Sequence, residues 1–305
     1  MVTSVSLNMP EGELAQALGG SFERYGFAIV ADHGIPADLI ARAEAKAQAF
    51  FALPEAVKQS YQIPGSGGAR GYTPFGIETA KGATQRDLKE FWHVGRELPP
   101  GHPFRAVMAD NVWPAEVPGF RETFLALYAA FDTAGDRILR AIAVHLGLEP
   151  DWLLGTVKDG NSVMRLLHYP PVPEDAPGVR AGAHEDINTI TLLLGAQEAG
   201  LELLDRSGQW LAVKPAPGEL VVNVGDMLQR LTNNVLPSTS HRVVNPAPER
   251  RGTSRYSMPF FLHFHPDFTI RTLPQCVSEE RPDLYPEPLN SHEFLQQRLR
   301  EIKLA

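Results

Sequence analysis

An α+β chain built around an antiparallel sandwich or barrel is the fold class this sequence predicts, and two observations carry it. Residues up to Leu148 read mainly as amphipathic helices, whereas after Gly160 the chain turns to short β-rich segments separated by turns. Helices first and strands afterwards argue against alternating βαβ units. The composition agrees: 305 residues with 43% apolar and 21% charged side chains suffice for one large core or two modest ones.

The elements follow in order. From Pro10 to Tyr61 the pattern is helical, interrupted by one β-like run, "YGFAIVADHGIP", in which Gly26 closes a helix and Pro36 suits the first turn of the next. In that next helix Leu39, Ile40, Ala43, Ala47, Phe50 and Phe51 return at helical spacing. "IPGSGGARGYTPFG" reads as a Gly-rich surface loop or lid, too irregular for a phosphate cradle. Between Pro118 and Leu148 a second long helix is predicted, because Phe120, Phe124, Leu127, Phe131, Ile138 and Ile142 fall on one stripe. From Ser162 to about Ile270 the strand candidates are "SVMRLLHY", "NTITLLLG", "LELLDRSGQWLAV" (a hairpin turning at Asp205 to Gly208), "GELVVNVG", "STSHRVVN" and "RYSMPFFLHF". Ser291 to Lys303 reads as a closing helix.

Charge and cysteine usage narrow the function. A formal net charge of −8 with no Lys/Arg-rich run gives no electrostatic support for a nucleic-acid or anionic-membrane surface, which leaves a small-molecule substrate as the expected partner. Cys276 is the lone cysteine, which excludes an intramolecular disulfide and a multi-cysteine metal cage and fits a reducing compartment. With no basic n-region and apolar core at the N-terminus and no run long enough to span a bilayer, the expectation is a cytoplasmic chain, neither exported nor anchored.

The chemistry concentrates in three places. In "AGAHEDINTITLLL", His184 and Asp186 stand two residues apart, so on a strand they project to one face while Glu185 turns away. Two such ligands plus a histidine from a distant strand make the 2-His-1-carboxylate arrangement that holds Fe(II) on one side and leaves the other open. His241, in "STSHRVVNP" 55 residues beyond Asp186, is the best-placed third ligand. An H-x-D pair alone is more often a surface polar pair, and the third element is what weighs against that. In "RYSMPFF", Arg255 and Ser257 again share a face, and a guanidinium fork beside a hydroxyl suits a carboxylate. Phe261 and His263 continue the same parity; Phe261 is expected on the wall that meets the substrate, although packing into the core is the competing reading.

These motifs, in order and spacing, resemble those of the isopenicillin N synthase-like 2-oxoglutarate/Fe(II)-dependent dioxygenases. "SFERYGFAIVADHGIP", "HYPPVP" and "TSHRVVNP" are similar to further elements of that family, and the resemblance covers nearly the whole chain. It implies a double-stranded β-helix (jelly roll) with flanking helices. Residues 1–115 would form an N-terminal helical and mixed region, and 116–305 the core with its closing helix, in one unit. It also implies Fe(II) on His184, Asp186 and His241, with 2-oxoglutarate as co-substrate held by Arg255, Ser257 and Tyr169. O2 would decarboxylate the co-substrate to succinate as the prime substrate is oxidised, most commonly hydroxylated. Two positions depart from the family pattern. Leu167 stands where many members carry Asn, two residues before Tyr169, and Asn234 replaces a glycine in "LTNNVLPSTSHR"; Asn tolerates the left-handed conformation such a turn needs.

Three alternatives stay open on sequence grounds. The first is a family oxidase that uses the Arg-x-Ser pair for something other than 2-oxoglutarate, and the second a zinc hydrolase on the same triad. The third is a non-catalytic jelly-roll binding module. Substrate choice is expected to lie in "GARGYTPFGIE", "FWHVGRELPPGHP" and the C-terminal tail.

Overall fold

Gly26 adopts φ 66° where the first helix, α1 (Glu11–Tyr25), gives way to strand. Its N–H caps the carbonyl of Phe22, an ending that only a residue without a Cβ makes cheaply. The computed structural model describes residues 2–64, 68–77, 87–171, 179–195 and 200–301.

Around α1, the N-terminal part holds β1 (Ser4–Ser6), β2 (Phe27–Ala31), α2 (Ala37–Phe51), α3 (Glu55–Gln59), β3 (Gly71–Thr73) and β4 (Glu90–Gly95). The long helix α4 (Phe120–His145) and the short α5 (Trp152–Val157) follow. Then come β5 (Val163–Tyr169), β6 (Ala181–His184), β7 (Ile190–Leu194), the hairpin β8 (Leu201–Leu204) with β9 (Trp210–Ala212), and β10 (Leu220–Val224). The chain closes through α6 (Asp226–Leu231), β11 (His241–Val243), β12 (Arg255–Leu262) and α7 (Ser291–Glu301).

The strands form an eight-stranded sheet in the order β1-β2-β10-β7-β12-β5-β4-β3 and a four-stranded sheet in the order β6-β11-β8-β9. Apart from the parallel β1–β2 pair the pairings are antiparallel. The outer face of the large sheet carries the helices: Met258, Phe260 and Leu262 of β12 join Phe120, Phe124 and Phe131 of α4 in one core, and Phe131 stacks on Phe260 at 5.1 Å. Its inner face meets the small sheet through Phe27, Ile29, Val221, Leu201, Leu203 and Val243 at one end of the interior. The other end carries the polar residues of the site. This is the double-stranded β-helix with flanking helices that the motifs implied.

Three readings of the sequence change. Gly71–Thr73, within the stretch expected to be a loop, is a buried strand pairing with β4. Phe91–Gly95, the start of a stretch expected to be a specificity loop, belongs to β4, a strand buried along its whole length between β3 and β5. A strand buried on both faces shows no apolar/polar alternation, and three residues starting with glycine show no period at all. Pro36 caps α2 rather than entering its first turn. Parts of "IPGSGGARGYTPFG" (65–67), "HYPPVP" (172–173), "GARGYTPFGIE" (Glu78) and the last residues of the tail (302–305) lie outside the described residues. Among the described residues, no helix is long and apolar enough to cross a membrane.

Candidate metal centre and active site

Antiparallel pairing of β6 with β11 makes His184 and His241 direct cross-strand partners, with ring centroids 4.5 Å apart. Asp186 comes two residues later, just past the end of β6, so the projection of the H-x-D pair to one side is completed by the turn and not by the strand. That turn is pinned where the Asp226 N–H, at the start of α6, donates to the Asp186 carbonyl at 2.7 Å. One ligand atom from each of His184, Asp186 and His241 lies within 4.8 Å of the others.

The surroundings decide which atoms those are. Each imidazole has its Nδ1 against the carbonyl two residues before it, Gly182 at 2.7 Å and Thr239 at 3.1 Å, so Nδ1 carries the proton and Nε2 faces the shared point. Asp186 Oδ2 accepts hydrogen bonds from Thr191 Oγ1 at 2.5 Å and Asn223 Nδ2 at 2.8 Å. Its Oδ1 lies 3.9 Å from His184 Nε2. Burial, then the neighbouring His241 imidazole, push the pKa of His184 down to about 4 against the pull of Asp186. Burial alone would raise Asp186, but His241, His184 and the Asn223 and Thr191 donors outweigh it and hold the carboxyl below its ordinary range. Two imidazole nitrogens and one carboxylate oxygen are the donor set that suits Fe(II) or a similar first-row divalent ion, and the bonds to neighbouring groups fix the imidazole tautomers and the carboxylate's direction.

Arg255, Ser257 and Tyr169 converge on the same interior. Arg255 pairs with Tyr169 across β12 and β5, its guanidinium carbon 5.1 Å from the tyrosine ring centroid, and Ser257 pairs with Leu167. The guanidinium is 1% exposed; its Nη1 reaches Ser257 Oγ at 3.4 Å and its Nε meets no acceptor among the described residues. A buried cation with an unsatisfied donor is the local chemistry that a carboxylate completes. Leu167, in place of the family's Asn, packs with Phe91 and Tyr169, an apolar contact where a polar one was expected. Asn234 adopts φ 61°, the left-handed conformation its place in the turn requires.

Phe261 points to the cavity side: it stays out of the core under the helices, where Phe260 and Leu262 lie, and pairs with Thr191 on β7. His263 follows with its Nδ1 bonded to the Phe261 carbonyl at 3.0 Å, and burial pushes it down to about 4. His168 turns to the opposite face, between Glu90 and Ser254, and is no ligand of the triad. His33 bonds Gly218, His145 bonds Glu23 and His102 caps a short helical turn.

The sequence reading missed the two residues that hold Asp186. Thr191 in "ITLLL" and Asn223 in "LVVNV" are polar positions on inward-facing parity within otherwise apolar strands, a signal that was available. It also missed that Phe91 and His93 face the interior, because β4 was read as a loop.

Two family profiles match the chain: the N-terminal region of non-haem dioxygenases in morphine synthesis over residues 4–116, and the 2OG-Fe(II) oxygenase superfamily over residues 160–264. A 2-oxoglutarate-Fe(II) type oxidoreductase of Emericella nidulans is 36% identical over 289 residues, which are 90% of this chain and 81% of the relative. Among solved structures, a 2OG-Fe(II) oxygenase family protein from Caulobacter crescentus superposes with a TM-score of 0.93 at 62% identity, covering 99% of both chains. A full-length Neurospora crassa protein, solved in complex with alpha-KG and thymine, superposes with a TM-score of 0.86 at 29% identity, covering 98% of this chain and 96% of that one. Overlap of this extent, on a chain that folds its two histidines, aspartate and arginine into one interior, makes it a member of the 2OG-Fe(II) oxygenase superfamily, the non-haem dioxygenases that use Fe(II) and 2-oxoglutarate.

Proposed function

We propose that His184, Asp186 and His241 hold Fe(II), that Arg255, Ser257 and Tyr169 seat the distal carboxylate of 2-oxoglutarate, and that the centre hydroxylates a small organic molecule. The observation that carries this is the pair of facing arrangements on one interior. Three ligand atoms, locked by Gly182, Thr239, Thr191 and Asn223, stand across from a buried guanidinium whose Nε has no acceptor among the described residues. The bound iron supplies the redox chemistry by which O2 oxidises both co-substrate and substrate.

The chain's own residues do the rest. The Nδ1–H bonds fix the tautomer and aim both Nε2 atoms, and the Thr191 and Asn223 donors occupy one carboxylate oxygen so that Asp186 presents the other. Arg255 fixes the co-substrate by a bidentate fork, with Tyr169 and Ser257 restricting its approach. Leu167, Phe91 and Phe261 keep that wall apolar and limit water. Thymine beside alpha-KG in the Neurospora relative supports a small-molecule substrate here. The lone, buried Cys276 supports a cytoplasmic setting. Residues 1–115 and 116–305 read as two regions of one unit, since β1 to β4 lie in the same sheet as β5, β7, β10 and β12.

The test is stoichiometric. Iron-loaded protein given 2-oxoglutarate and air should release succinate in step with O2 uptake. Oxygen uptake with an accepted substrate but without succinate would transfer the Arg-x-Ser pair to another acid and contradict the co-substrate assignment.

A further inference from the structure

The closing helix reaches the metal triad through one residue. Arg298 of α7 places its Nη2 2.9 Å from Asp226 Oδ2, while its Nη1 is held 2.7 Å from Glu301 Oε2 on the same helix. Asp226 is buried at the start of α6, and Arg298 is its one ion-pair partner among the described residues. The main chain of Asp226 has a different partner: its N–H donates to the Asp186 carbonyl at 2.7 Å. The same residue therefore ties its carboxylate to α7 and its amide to the aspartate of the triad.

The amides on either side join in. Gly225 N–H donates to the Thr189 carbonyl at 3.0 Å, and Met227 N–H lies 3.2 Å from the carbonyl oxygens of Ile187 and Asn188, so the turn from Asp186 to Thr189 is built on the first residues of α6. The fit is close, since a Cβ at Gly225 would lie 2.1 Å from the Asn188 carbonyl oxygen. Thr191 and Asn223 hold one oxygen of the Asp186 side chain, whereas α6 holds the backbone from which that side chain projects. A buried carboxylate that loses its cation is costly where it stands, so without Arg298 the start of α6 would shift to bring Asp226 to water, and the turn would shift with it.

We propose that Arg298 is a positioning residue for the metal site: by holding Asp226 it couples the docking of α7 to the placement of Asp186. This rests on the reading that His184, Asp186 and His241 bind the metal. Such coupling is reciprocal, because whatever factor docked α7 adds to metal affinity, bound metal adds to the docking of α7. An ion pair that only stabilises the fold carries no such reciprocity.

The experiment pairs calorimetry of Co(II), an air-stable first-row ion suited to the same donors, with amide hydrogen exchange of the full chain. Co(II) should bind about tenfold more weakly to Arg298→Met and to Asp226→Ala, and the double variant should lose no more than the weaker single one, because both changes cut the same link. Arg298→Lys, which keeps the charge, should lose about threefold at most, and Arg300→Met, an exposed change on the same helix, should match wild type. In wild type Co(II) should slow exchange in α7 by about the same tenfold, and in Arg298→Met it should not. Wild-type affinity in Arg298→Met, losses that add in the double variant, a loss in Arg298→Lys equal to that in Arg298→Met, or α7 exchange that Co(II) leaves unchanged in wild type would each overturn the assignment. If wild type bound no Co(II), the metal reading of the triad would fall instead. The coupling is then read on the metal-free chain, where the Asp226 amide should exchange about tenfold faster in Arg298→Met than in wild type, and equal rates would overturn it.

Discussion

Thr191 and Phe261 stand directly opposite each other across β7 and β12, and Thr191 donates to the carboxylate of Asp186. The support of the proposed metal ligand and the wall proposed to meet the substrate therefore share one rung of the sheet. Phe261→Ala should raise the ratio of succinate released to product formed, because a loosened wall lets the co-substrate be consumed without a positioned substrate. Affinities for Fe(II) and 2-oxoglutarate should stay near wild type. Its neighbour Phe260, stacked on Phe131 in the helical core, is the contrast: Phe260→Ala should cost ~3–5 kcal/mol in denaturant unfolding. A Phe261→Ala variant that unfolds as Phe260→Ala does would place that ring in the core.

Replacement of His184, Asp186 or His241 by Ala should abolish turnover and bound iron while leaving the circular dichroism spectrum intact, since these side chains line a cavity. Asp186→Glu should also fail, because the longer arm moves the carboxylate off the shared point. Thr191→Val and Asn223→Ala each remove one donor from Asp186 Oδ2 and should weaken metal binding by ~10–100-fold without abolishing it. Metal analysis after dialysis checks each, and full iron content in any of the three Ala variants removes that residue from the ligand set.

Legibility in the sequence followed chemical distinctiveness. His184, Asp186, His241, Arg255 and Ser257 were readable because H-x-D and R-x-S place two unlike functional groups on one side of an apolar strand, and α4 because its stripe of Phe, Leu and Ile repeats with the helix. β4 was not readable: with Trp92 and Val94 buried under the helices and Phe91 and His93 facing inward, neither face is solvent-exposed and the alternation vanishes. With β4 went the cross-strand contact between His93 and Arg165 of β5. The supports of Asp186 were visible only as lone polar letters, since which carboxylate they serve depends on pairings between segments far apart in the chain.

Arg255→Lys should weaken 2-oxoglutarate binding substantially, by about tenfold or more, because an ammonium offers a point charge where the guanidinium offers a fork. Ser257→Ala and Tyr169→Phe each remove a single hydroxyl and should weaken it by about three- to tenfold. Apparent KM for 2-oxoglutarate, with kcat measured at saturation, separates the two classes. Equal effects of all three changes would argue against the fork.

His263 supplies a pH prediction. Its pKa is pushed down to about 4 by burial, whereas the unfolded chain titrates it near the usual imidazole value of ~6.5. Above that value both states are neutral and the group contributes nothing. As pH falls from ~6.5 towards 4 the unfolded state takes up a proton that the folded state refuses, so stability falls by at most ~1.4 kcal/mol per pH unit from this group. Metal-free wild type should lose Tm over that window, and His263→Gln should show a shallower slope. An unchanged slope would mean that His263 protonates freely in the folded protein.

The central claim, that one interior holds iron on the His184, Asp186 and His241 triad and 2-oxoglutarate on both that iron and Arg255, is tested most directly by anaerobic calorimetry of 2-oxoglutarate with wild type, His241→Ala and Arg255→Lys, each with and without Fe(II). The account predicts one co-substrate per chain, bound tightly only when iron is present, with the iron-dependent gain lost in His241→Ala and the overall affinity lowered in Arg255→Lys. Binding of equal strength with and without iron in wild type, or unchanged by Arg255→Lys, would contradict it.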